Sequence, residues 1–94
     1  MPLPKIKVLL TAVGCPGAVT MIHALKNNGE RDIEIVGTDM RPEAAGRFFI
    51  DKFYQVPAGN AETFIPRMVE ITQREQPDII MPQSSYVMGR SRLL

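Results

Sequence analysis

Ninety-four residues are enough for one small domain with a modest core, and for no more. Hydrophobic residues make up 45% and charged residues 22%, the proportions of an ordinary folded chain, so disorder is excluded as the default. Eleven basic against ten acidic side chains leave a formal net charge of +1, which removes any global electrostatic case for nucleic acid or for an anionic membrane.

The run from Lys5 to Val13 is nearly continuous in apolar residues (Ile6, Val8 to Leu10, Ala12, Val13), the pattern of a strand buried on both faces of a parallel sheet. It is too short for a secretion signal, and no run approaches transmembrane length. Gly14, Pro16 and Gly17 then predict a tight turn with no room for a Cβ at either glycine. Ala18 to Leu25 predicts a helix with Ala18, Val19, Met21, Ile22 and Leu25 as its apolar stripe. Strand, glycine turn and helix open a βαβ unit, whose helix start aims backbone N–H groups above the sheet.

Cys15 stands in that turn, where a helix N-terminus lowers a thiol pKa. No base is assignable to it, since His23 lies mid-helix, and no catalytic residue is predicted. As the single cysteine it excludes an internal disulfide, and the lone histidine leaves no zinc cluster. A reducing cytoplasm is the simplest compartment.

Asn27-Asn28-Gly29 stops the helix, and Ile33 to Asp39 is a second strand ending on an acid. Met40 to Gly46, with Pro42 and two alanines, predicts one short helical turn. Lys52 to Val56, closed by Pro57, reads as a short third strand suited to a sheet edge. A second amphipathic helix runs from about Thr63 to Glu75, with Thr63 as N-cap, Pro66 in the first turn, and Ile65, Met68, Val69 and Thr72 on one face. Asp78 to Pro82 is a fourth strand, and Gln83 to Tyr86 the loop beyond it.

This order predicts an α/β fold, a half-Rossmann three-layer sandwich with a parallel sheet of about four strands ordered 3-2-1-4. Winding then reverses between strands 1 and 4, so the predicted crevice lies where Gly14 to Gly17 meets Gln83 to Tyr86. Strand 4 is left as an unpaired edge, which predicts self-association or cover by a further domain.

Two readings stand side by side at each candidate residue. Gly14, Cys15, Pro16 and Gly17 either pack the helix on the sheet or contact a ligand, and their G-x-x-G spacing lacks the third glycine of the dinucleotide fingerprint. Asp39 either meets a ribose or caps the turn that follows it. Arg41 and Arg47 either reach an anionic substrate or are solvated. Ser84, Ser85 and Tyr86 either present hydroxyls to the crevice or form a polar loop.

Thr11-Ala-Val-Gly-Cys-Pro-Gly17, Val36-Gly-Thr-Asp39, Ala44-Ala-Gly46, Asp51-Lys-Phe-Tyr-Gln-Val-Pro57 and Pro77-Asp-Ile-Ile-Met-Pro82 together resemble the N-terminal (pre-ATP-grasp) domain of ATP-grasp ligases, especially carbamoyl-phosphate synthase large-subunit-like proteins. The resemblance covers residues 5–86 and implies a Rossmann-like domain over residues 1–86, with residues 87–94 an irregular tail or a truncation point. It implies the substrate side of an ATP-dependent carboxylate–amine ligase, inactive by itself. A small carboxylate or acyl phosphate would be bound by Gly14, Cys15, Pro16, Gly17, Asp39, Arg41, Ser84 and Ser85. ATP and Mg²⁺ would be held by the ATP-grasp subdomains of the parent enzyme, with no metal ligand in this stretch. The sequence departs from the family pattern in having no acidic residue shortly after the strand-4 proline and its polar loop. Two other classes remain: a small Rossmann-type module binding NAD(P) or ATP on its own, and a non-catalytic interaction domain.

Overall fold

The computed structural model describes residues 3–82; the loop holding Ser84, Ser85 and Tyr86, and the tail 87–94, lie outside the described residues. Strands β1 (Ile6–Leu10), β2 (Ile33–Asp39), β3 (Lys52–Gln55) and β4 (Ile79–Met81) form one parallel sheet in the order β3-β2-β1-β4. Helix α1 (Ala18–Lys26) connects β1 to β2, and α2 (Phe64–Glu75) carries the chain from β3 to β4. No helix among the described residues is long and apolar enough to cross a membrane.

Successive side chains of a strand point to opposite faces, and β1 uses both. Leu9 packs with Val36, Phe64, Met68 and Ile71 beneath α2, while Leu10 packs with Ile35, Val13 and Ile22 beneath α1. The continuous apolar run predicted from sequence is therefore what a strand between two helical layers requires.

The predicted turn at Met40–Gly46 is displaced. Ala44 N–H donates to Arg41 O at 3.2 Å, so Pro42 occupies the second place of a β-turn, where its fixed φ is favourable. The helical segment follows as a short 3₁₀ helix, Ala45–Phe49, docked on the β1 loop by Gly46 N–H to Val13 O at 3.1 Å. Arg47 is held within this segment, donating to Pro42 O at 2.5 Å with its guanidinium 5.0 Å from the centre of the Phe53 ring.

The glycines of the first turn are constrained differently. Gly17, at the α1 N-cap, has φ +88 with open space where a Cβ would go, so backbone conformation and not crowding demands glycine there. At Gly14 the crowding is real, with Ala44 Cβ 3.0 Å from a built Cβ.

Helix α2 starts as predicted, with Thr63 at the N-cap position and Pro66 in the first turn, but Thr63 makes no side-chain capping bond. The start is instead closed by Phe64 N–H donating to Ala61 O at 3.1 Å. Its buried stripe is Phe64, Met68, Ile71 and Glu75, not Ile65, Met68, Val69 and Thr72. The rotation follows from partners on the sheet: Glu75, 5% exposed, meets Tyr54 Oη, Lys52 Nζ (2.9 Å) and Lys7 Nζ (3.3 Å). Lys7 also donates to the Glu75 carbonyl at 2.9 Å, neutralising a helix C-terminus that a carboxylate alone would disfavour.

Candidate functional site

In a parallel sheet the loops after the strands gather at the carboxyl ends, and here that edge is tied together around one residue. Asp39 Oδ1 accepts Gly14 N–H and Oδ2 accepts Arg41 N–H, both at 3.0 Å, while its backbone carbonyl accepts Val56 N–H at 3.0 Å. One aspartate thus joins the loop after β1, the loop after β2 and the end of β3. The β1 loop is turned into place by Ala12, whose φ of +53 is left-handed for a non-glycine residue and costs on the order of 1 kcal/mol. Val13 then returns to the core, with its N–H donating to Thr38 O at 3.0 Å.

Beside this tie lies a cavity of about 390 Å³. Thr11, Ala12, Thr38 and Asp39 form its strand-end side, Gly14, Cys15, Met40 and Arg41 the adjoining loops, and Val56 to Asn60 with Phe64 the opposite wall. Four predicted site residues, Gly14, Cys15, Asp39 and Arg41, are brought together here. Pro16 and Gly17 are not among the lining residues, and Ser84 and Ser85 fall outside the described ones. The cavity opens toward β3, whereas the crevice predicted from the winding reversal lies toward β4. The loop after β3 was missed, although the rule that placed Gly14 at a strand's carboxyl end applies equally to Pro57-Ala-Gly-Asn60.

Asp39 caps the turn that follows it, and its carboxylate also lines the cavity. Two amides of the glycine turn are already engaged. Gly14 N–H is held by Asp39, Cys15 N–H by Ala12 O at 3.0 Å, and Pro16 has none. Nor does the cavity suit magnesium: its lining has a single carboxylate, already accepting two amides, and among the described residues no three His, Cys, Asp or Glu side chains gather.

Cys15 also corrects an expectation. Its thiol pKa is raised, first by burial and then by the Asp39 charge, against a smaller lowering by a backbone hydrogen bond. The alkylation rate of this single thiol should therefore rise with pH along a curve displaced to higher pH than that of the urea-unfolded chain, and Asp39→Asn should move it back down. A folded curve displaced to lower pH would contradict this account.

Sheet order and site together define a half-Rossmann α/β domain, open at the carboxyl ends of its strands. A family model for the PylC-like, N-terminal domain matches residues 8–87, a span that takes in all but the start of β1 and every later element. The chain belongs to this family, a pre-ATP-grasp domain of ATP-grasp ligases. No curated protein matches the chain.

Proposed function

We propose that this chain is the substrate-side domain of an ATP-dependent carboxylate–amine ligase, its carboxyl-end cavity receiving part of one substrate. The observation that carries the reading is the cavity itself, placed by Asp39 where parallel sheets put ligands, in a domain of a ligase family. The complete enzyme would convert a small carboxylate to an acyl phosphate for attack by an amine, as the likeness to carbamoyl-phosphate synthase large subunits suggests. ATP and Mg²⁺ would fall to the ATP-grasp subdomains of the complete enzyme. The same subdomains, or a second copy of the chain, would cover the β4 edge, where Ile79 is 47% exposed. A single cysteine, which can form no disulfide within the chain, suits the cytoplasm.

A chimera tests the reading. Placed ahead of the ATP-grasp subdomains of a PylC-like ligase, the chain should support ADP release that requires both a carboxylate and an amine. The 94-residue chain alone should release no ADP above a buffer control. Saturable, magnesium-dependent ATP turnover by the chain alone would overturn the proposal in favour of an independent nucleotide-binding enzyme.

A further inference from the structure

We infer that Asn28 is a modification site that the fold keeps shut: its side-chain amide is lost to attack by the Gly29 nitrogen only when the joint between α1 and β2 opens. The pair Asn28-Gly29 stands exposed just past the end of α1, away from the carboxyl-end cavity. Glycine has no side chain to hinder the attacking nitrogen, the space beside it is open, and no acceptor holds the Gly29 N–H among the described residues. The chemistry needs nothing but water. The Gly29 nitrogen bonds to Asn28 Cγ, the Cγ–Nδ2 bond breaks, and ammonia departs with the Gly29 proton, leaving a succinimide ring. Water then opens the ring at one carbonyl or the other, giving aspartate or isoaspartate.

The folded geometry opposes both halves of the first step. Asn28 Oδ1 accepts Glu30 N–H at 2.8 Å and Arg31 N–H at 2.9 Å, while Nδ2 donates to Leu25 O at 2.7 Å and to Arg31 O at 2.8 Å. Two donors and two accepting positions are all that an asparagine amide possesses, so every one is used. Ring closure must swing Cγ toward the Gly29 nitrogen and pyramidalise it, which breaks this set. Departure of Nδ2 requires a proton, yet both its hydrogen-bond partners are carbonyl oxygens, which have none to give. The nucleophile is free, but the electrophile and its leaving group are pinned.

The product cannot rebuild the joint. A carboxylate at position 28 has no hydrogen to donate to Leu25 O or Arg31 O, and it sets a negative charge against the carbonyl end of α1. Isoaspartate also lengthens the main chain beside Gly29, whose φ of +80 shapes the turn. Because α1 hands the chain to β2 through this turn, a modified chain refolds with a weakened connection. The modification thus marks chains that have spent time unfolded.

The test holds the 94-residue chain at mildly alkaline pH, folded and in urea. Mass spectrometry follows residues 27–31, the fragment released by cleavage after Lys26 and Arg31. Exchange of ammonia for water at Asn28 should be at least about tenfold slower in the folded chain than in urea. It should fall on Asn28, which precedes glycine, before Asn27, which precedes asparagine. The modified chain, separated and refolded, and Asn28→Asp should each unfold at lower urea than the unaltered chain. If Asn28→Asp fails to fold, the two rates on the unaltered chain still decide. Equal rates in the two states, earlier change at Asn27, or no change in urea overturns the inference. So does an Asn28→Asp urea midpoint equal to that of the unaltered chain.

Discussion

Gly46→Ala should destabilise the domain by about 3 kcal/mol, and Gly46→Val should prevent folding. A Cβ at position 46 would stand 2.3 Å from the Val13 carbonyl oxygen and 2.9 Å from Val13 Cβ. The first of these is backbone, which cannot rotate out of the way. Relief requires lifting the 3₁₀ helix Ala45–Phe49 off the β1 loop, with loss of the Gly46 N–H bond to Val13 O. The sign of the effect is informative, since alanine normally stabilises a helical position relative to glycine by roughly 0.5–1 kcal/mol. A urea midpoint for Gly46→Ala equal to or above that of the unaltered chain would refute the close approach.

Glu75→Gln is expected to cost about 2–3 kcal/mol at neutral pH and little at pH 2. Hydrogen bonds from Tyr54 and Lys52, and then from Lys7, outweigh burial and bring the Glu75 pKa from 4.5 to about 2. Because the folded value lies below the unfolded one, this stabilisation is fully present above about pH 4.5 and is lost as pH falls through 2. Urea unfolding of both proteins across that interval should show the difference shrinking toward acid. A difference independent of pH would mean that the ion cluster contributes through packing, not charge. The same cluster explains why the carboxylate is tolerated inside: each of its oxygens has a lysine, and one has a tyrosine hydroxyl as well.

Where the sequence was legible, the cause was local. Val8 to Leu10 announced a strand covered on both faces, Gly14 to Gly17 a tight turn into α1, and Ile33 to Asp39 the second strand with its bounds. The sheet order followed from chain order and crossover handedness alone. What was illegible depends on partners distant in sequence. Nothing near Glu75 shows that Lys7, Lys52 and Tyr54 await it on two strands, so the buried face of α2 was read correctly only at Met68. The docking of Gly46 on Val13 is equally long-range, and it pulls the helical segment past Pro42. At the cavity, Asp39 was visible as an acid at a strand end, but its grip on Gly14 was not. That grip engages the Gly14 amide within the protein.

The place of β4 in the sheet has a consequence for the order in which the domain assembles. Asp39 meets Gly14 across 25 positions, whereas Lys7 N–H reaches Asp78 Oδ2 across 71. Closing the longer loop costs about 1 kcal/mol more chain entropy, and only a three-residue strand is there to offset it. The loops from Thr11 to Phe64 therefore have the means to settle around Asp39 first, with β4 joining last. During synthesis, the cavity can take shape while the strand that completes the sheet is still unmade.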